Sequence, residues 1–187
     1  MNIVGIDEVG RGCWAGPVVA GAVLLREPVP GLRDSKVLSA RRREEFDLLV
    51  REHGIVGLGW VWPEEINNIG LTESVRLAMR RALAKITEPY EEVIIDGNLN
   101  YLPDVSGSRA LVKADDLVSE ASAASIVAKV ARDTYMQKIA SEYPAYGFDR
   151  HVGYGTAAHI AALELHGVTP IHRLTYKPIM RILEQTA

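Results

Sequence analysis

Four acids stand where apolar runs stop. Asp7 and Glu8 close "NIVGIDE", Asp96 closes "EEVIID", and Asp115 follows "RALVKA". An acid in such a place is either a turn residue bonding its own backbone or a ligand at the end of a buried strand. Three separate runs ending this way give weight to the second alternative, because carboxyl ends of strands meet at one edge of an open α/β sheet. Carboxylates gathered there raise one another's pKa unless cations neutralise them. All-oxygen ligands suit Mg²⁺ or Mn²⁺ rather than zinc. Two such ions can activate a water and stabilise a leaving oxygen, which makes a two-metal nuclease or phosphotransferase the leading class.

Directly after the first two acids comes Gly10-Arg11-Gly12. Acids repel phosphate, whereas an arginine between glycines suits it, so the two halves of "GIDEVGRG" pull in opposite directions. Adjacent residues of a strand point to opposite faces. Asp7 and Glu8 can therefore share a site only if the strand bends or ends there, with Val9 and Gly10 opening the turn. Gly10, Gly12 and Ala15 also satisfy the dinucleotide pattern G-x-G-x-x-A. That pattern needs a helix next, and Pro17 with the strand-like "VVAGAVLL" follows instead.

The elements that must position these residues are legible in outline. "NIVGID" and "PVVAGAVLL" are predicted strands, and "GIVGLGWVW" is a third. Residues 39–51 are predicted as a surface helix with Phe46, Leu49 and Val50 as its buried stripe. Pro63 is placed to open a short helix. Val75, Met79, Ala82, Leu83 and Ile86 recur at helical spacing. "EEVIIDGN" and "RALVKAD" complete the strands, and helices dominate from Ser119, broken near Pro144 and in "HVGYGT". Strands first and helices later predict an α/β fold with a mixed sheet.

The chain has 187 residues, 48% hydrophobic and 24% charged, which suits one domain with a real core. Its single cysteine, Cys13, forms no internal disulfide, and the expected setting is a reducing, cytoplasmic one. No apolar run is long enough to span a bilayer, so no membrane association is expected. The net charge of −3 is low for a nucleic-acid binder; setting four acidic ligands aside leaves 20 acids against 21 Lys and Arg. None of the five histidines shows metal-ligand spacing.

With "GIDEVGRG", "DSKVLS", "IIDGN" and "ASAASIVAKVARD" in this order, residues 3 to about 178 closely resemble ribonuclease HII, the prokaryotic type 2 ribonuclease H. The resemblance implies a ribonuclease H-like fold: a five-stranded mixed β-sheet flanked by helices, in one catalytic domain over residues 1–187. A helical C-terminal part from about residue 140 would close over the substrate groove. The implied catalytic carboxylates, which are also the metal ligands for Mg²⁺ or Mn²⁺, are Asp7, Glu8, Asp96 and Asp115, with Asp116 as the neighbouring alternative. Ala114 stands where the family usually has glycine. Gly10, Arg11 and Gly12 would read the 2′-hydroxyl at an RNA–DNA junction largely through main-chain groups, and Tyr154 would stack on the adjoining sugar. Val152 stands where many members have lysine. Lys36 and Lys129 are candidate phosphate contacts, and Lys129 could equally pair with Asp133 four residues on. Ser122 and Ser125 are taken as small residues that let their helix pack closely. Arg11, together with a motif beginning at residue 5, favours HII over ribonuclease HIII.

The implied activity is hydrolysis of the RNA strand of RNA–DNA hybrids, and cutting 5′ to ribonucleotides embedded in duplex DNA, by a monomer. Other two-metal nucleases of this fold act without a ribose, and a hybrid-binding module would carry its acids for structure alone.

Overall fold

The computed structural model describes residues 2–32 and 38–186. Five strands form one sheet: β1 (Ile3–Val9), β2 (Val18–Leu25), β3 (Gly54–Val61), β4 (Glu92–Asp96) and β5 (Ser108–Leu111), in the spatial order β3-β2-β1-β4-β5. The first three run antiparallel; β4 lies parallel to β1, and β5 parallel to β4. The sheet is therefore mixed, as expected.

Helices cover both faces. On one, Val4 and Ile6 of β1, Ala20 and Ala22 of β2 and Ile95 of β4 pack on α2 (Pro63–Leu83) through Val75, Met79 and Ala82. Gly70, with φ +76°, kinks this helix, so the short segment opened by Pro63 and the periodic one after it form two arms. Ile86 lies beyond the end of α2 yet stays buried. On the other face lies α4 (Ser119–Ile139), unusually close to the sheet. A Cβ added to Gly5 would stand 2.1 Å from the Ala121 nitrogen, and one on Gly21 would stand 2.4 Å from the Ala124 carbonyl oxygen. Glycines in the strands and alanines in the helix are therefore one packing device, bringing helix backbone against sheet.

Between β2 and β3 runs α1 (Ala40–His53), capped by the Ser39 hydroxyl, which accepts the Arg42 N–H at 3.3 Å. Phe46 and Val50 are buried as expected, but Leu49 is 37% exposed and Asp47 takes the buried place instead. "RALVKAD" is not one strand: β5 stops at Leu111, Lys113 turns in the left-handed region, and α3 (Ala114–Leu117) begins.

After α4 come a 3₁₀ turn at Pro144–Tyr146 and the helices α5 (Phe148–His151), α6 (Ala157–His166) and α7 (Lys177–Thr186). Tyr146, Phe148, Leu163 and Ile179 pack there with Met136 of α4 and with Ala15 from the turn between β1 and β2. Single bridges, Cys13 to Tyr154 and Ala15 to His172, stitch that turn to the C-terminal part. Among the described residues no helix is long and apolar enough to cross a membrane.

Candidate active site

β1 does not turn at Val9. It stays in register with β2 through Asp7 opposite Gly21, Glu8 opposite Ala20 and Val9 opposite Val19, so Asp7 and Glu8 do point to opposite faces. Asp7 falls on the α4 face with Gly5. Glu8 falls on the α2 face with Val4 and Ile6. They nevertheless stand at one rim because the neighbouring strand ends there: Ile6 pairs with Ile95, so Asp96, the last residue of β4, is level with Asp7. Both acids of β1 therefore sit at the rim, and both feel the Asp96 charge.

Asp115 reaches the same rim by another route. It is not at a strand end, as its apolar preamble suggests, but in the first turn of α3. The left-handed backbone of Lys113, φ +59°, turns the chain back across the end of β4. The Asp115 N–H then faces Asp96 Oδ1 at 3.4 Å, and its side chain is buried at 4% exposure. Asp116 is the more exposed of the two.

Burial dominates the electrostatics. It pushes the Asp7 carboxyl up to about 7; the Glu8 and Asp96 charges add to the rise, and hydrogen bonds from Ser125 and the Glu8 N–H oppose it. Glu8 is raised as well, chiefly by burial, with Arg11 opposing. Its Oε1 accepts from Arg11 Nη1 at 3.1 Å. A carboxyl whose pKa is raised by burial and by like-charged neighbours is one that a cation would stabilise, and the donors are all hard oxygens. Asp7, Glu8, Asp96 and Asp115 therefore fit a Mg²⁺ or Mn²⁺ centre by chemistry. Among the described residues no three His, Cys, Asp or Glu side chains are already grouped as a metal cage. Asp7 and Glu8 are instead held by protein donors: Asp7 Oδ1 by the Glu8 N–H at 2.7 Å, and Glu8 by Arg11.

The turn after β1 starts at Gly10, whose φ of +91° suits glycine, and a Cβ there would meet Arg132 Nε at 2.4 Å. At Gly12 the added Cβ would meet only the Tyr154 ring, 3.9 Å away. Tyr154 is 39% exposed and its backbone bridges to that of Cys13. The turn and this tyrosine are thus brought close together. Arg11 lies over Tyr101, 5.8 Å from the ring centre. Lys129 donates to Asp133 at 2.9 Å, its local alternative, while its Nζ stays 5.9 Å from the Tyr154 ring centre. Lys36 lies outside the described residues.

Several neighbours of the site escape sequence reading. Ser125 lies near enough to Asp7 to oppose the rise of its carboxyl pKa, a contribution beyond close helix packing. Arg132 and Arg173 are fully buried behind the turn. Arg132 had a signal: it follows Ala128 and precedes Met136 by four residues each, so it falls in phase with the buried stripe of α4. Of the histidines, His159 and His172 meet Nε2 to Nε2 at 3.0 Å inside the C-terminal part.

Sheet order, helices on both faces and carboxylates at the carboxyl ends of the central strands define a ribonuclease H-like fold. The comparisons narrow it. Residues 4–179 match the family model for ribonuclease HII. A ribonuclease HII of Halorhodospira halophila is 46% identical over 187 residues, spanning 97% of this chain and 95% of its own length. The crystal structure of ribonuclease H2 from Pyrococcus horikoshii superposes with a TM-score of 0.84 at 26% identity, covering 99% of this chain and 98% of that one. Bst-RNase HIII in complex with Mn²⁺ shares the fold at a TM-score of 0.77 and 21% identity, over 99% of this chain and 70% of that one. The chain belongs to the ribonuclease HII family and is a ribonuclease H enzyme.

Proposed function

We propose that this enzyme is an endonuclease that hydrolyses the RNA strand of RNA–DNA hybrids and cuts 5′ to ribonucleotides embedded in duplex DNA. Asp7, Glu8, Asp96 and Asp115 would hold two Mg²⁺ or Mn²⁺ ions. When bound, such ions supply an activated water and neutralise charge at the scissile phosphate, leaving a 3′-hydroxyl and a 5′-phosphate. The observation that carries this reading is the juxtaposition at one rim: buried, mutually repelling carboxyls beside a glycine turn that opens onto Tyr154.

The protein's own groups have separable tasks. Ser125 and the Glu8 N–H orient the Asp7 carboxyl. Arg11, anchored on Glu8, presents a fixed-charge fork at the edge of the site, where a backbone phosphate would pass. Gly10 and Gly12 let main chain approach the ribose, whose 2′-hydroxyl is the local mark of RNA. Tyr154 offers a ring face to the adjoining sugar, and Lys36 a further phosphate contact. The helical C-terminal part closes the groove from the far side, and the enzyme acts as a cytoplasmic monomer in ribonucleotide removal and RNA primer processing.

A labelled DNA duplex carrying one ribonucleotide tests this reading, in Mg²⁺ and in Mn²⁺. Cleavage on the 5′ side of the ribonucleotide is expected, with none in the matched all-DNA duplex. Equal cutting of both would sink the ribonuclease reading in favour of a ribose-independent nuclease, and no cutting at all would favour a binding module.

A further inference from the structure

Arg132 and Arg173 are both 0% exposed, and among the described residues neither forms an ion pair with an acid. Burying a guanidinium is costly unless its donors are used. Here most of them are spent on main-chain carbonyls around the turn; Arg173 Nη1 also donates to the Tyr176 hydroxyl at 2.8 Å, and Arg173 Nη2 alone is buried without a hydrogen-bond partner. Arg132 donates from Nε to Pro17 at 2.9 Å, from Nη2 to Ala15 at 3.0 Å and from Nη1 to Val152 at 2.8 Å. Arg173 donates from Nε to Gly16 at 3.0 Å and from Nη1 to Arg11 at 3.1 Å. The Arg11 carbonyl also accepts the Tyr176 hydroxyl at 2.6 Å.

These bonds have geometric consequences. In a trans peptide the N–H points opposite to the preceding C=O. Pinning the Arg11 carbonyl inward, toward buried Arg173, therefore aims the Gly12 N–H outward, and among the described residues no main-chain carbonyl accepts from it. Arg132 fixes the other half. Its one guanidinium holds both the turn, at Ala15 and Pro17, and the loop bearing Tyr154, at Val152. Val152 has φ +44°, a costly conformation for a β-branched residue that persists only where its surroundings enforce it.

We propose that Arg132 and Arg173 are positioning residues for ribonucleotide selection: Arg173 sets the direction of the Gly12 N–H, and Arg132 sets the spacing between that turn and Tyr154. This rests on the reading above that the turn and Tyr154 address one ribose. A single embedded ribonucleotide offers its 2′-hydroxyl in one register, so it depends fully on this preset geometry. A uniform hybrid offers one in every register and is recognised partly by shape.

The test measures kcat/KM of Arg173→Lys, Arg132→Lys and Tyr176→Phe on a single-ribonucleotide duplex and on a uniform RNA–DNA hybrid. Lysine keeps the charge but loses the fork. The ratio of the two rates from one preparation is independent of how much protein is folded. Misplacing a binding group by an ångström costs up to about a hundredfold, so the ratio is expected to fall about tenfold or more in the lysine variants and about two- to threefold in Tyr176→Phe. Equal losses on both substrates in folded lysine variants overturn the proposal. If thermal denaturation shows the lysine variants unfolded, an unchanged ratio in Tyr176→Phe overturns it. A wild type that cuts all-DNA duplex as fast as either substrate overturns the ribonuclease reading itself, and the premise of this proposal with it.

Discussion

Gly12 and Tyr154 face each other across a gap of one side-chain atom, 3.9 Å from the point where a Cβ would begin to the edge of the ring. Gly10, two residues earlier, is closed in by Arg132 and carries a positive φ. Gly10→Ala should therefore cost on the order of 2 kcal/mol or more in stability through strain and clash. Gly12→Ala should leave thermal stability nearly unchanged yet reduce cleavage at a single ribonucleotide about tenfold or more, by placing a methyl where the sugar would lie. Melting curves and cleavage assays on both variants separate the two; similar melting losses would mean that Gly12 is also structural.

Asp7 is a buried carboxyl raised to about 7 by desolvation and like charges. Removing its charge should stabilise the metal-free protein while destroying the metal centre. Asp7→Asn and Asp96→Asn are both expected to abolish cleavage and to keep or improve hybrid binding in chelator, because less negative charge meets phosphate. Calorimetric titration with Mn²⁺ should show weakened binding in each. Retained cleavage in Asp7→Asn would return these acids to a structural role.

Arg11 pairs with Glu8 at 3.1 Å and is half-exposed toward the groove. Arg11→Ala should lower substrate affinity about tenfold, with a shallower salt dependence, and should lower the preference for a ribonucleotide junction. Unchanged junction preference would remove Arg11 from the recognition turn.

Tyr154→Ala should slow cleavage at single ribonucleotides more than on long hybrids, by a margin of about tenfold, because a stacking platform is lost where no second ribose compensates. Equal slowing on both substrates would make the ring a packing residue that shields Cys13.

His159 and His172 are buried against each other, with His151, Tyr146, Phe148 and Thr169 around them, and among the described residues neither pairs with an acid. Burial pushes both down to about 4 from the ordinary 6.5. The unfolded chain then binds protons first, so their contribution to stability is present above pH 6.5 and is lost as pH falls toward 4. The melting-temperature gap between the wild type and His172→Asn should be largest near pH 7.5 and narrow toward pH 4.5. A gap constant with pH would mean that the pair does not titrate in that window.

Much of this was readable from residue order. The strand cores, the α/β class, the acids at apolar run ends and the glycine-framed arginine all follow from local rules, because alternation, helical spacing and turn chemistry act within a few residues. The failures are equally physical. Asp115 looked like a strand terminus because "RALV" is β-prone, but a left-handed Lys113 starts a helix there. Leu49 looked buried and is not, since the chain spends that face of α1 on Asp47 and Val50.

The sequence by itself determined which groups are present and their order: four acids, a turn able to bring main chain close, and a tyrosine between glycines far downstream. Only the tertiary structure decided that Asp7 and Glu8, on opposite faces, share one rim, because that depends on β4 stopping level with Asp7. It alone decided that two buried arginines, 41 residues apart, clasp the turn between β1 and β2, with Arg132 also holding the loop that carries Tyr154. Partners separated by more than a hundred residues leave no periodic trace, and a guanidinium seeking backbone carbonyls has no sequence signature at the carbonyl's end.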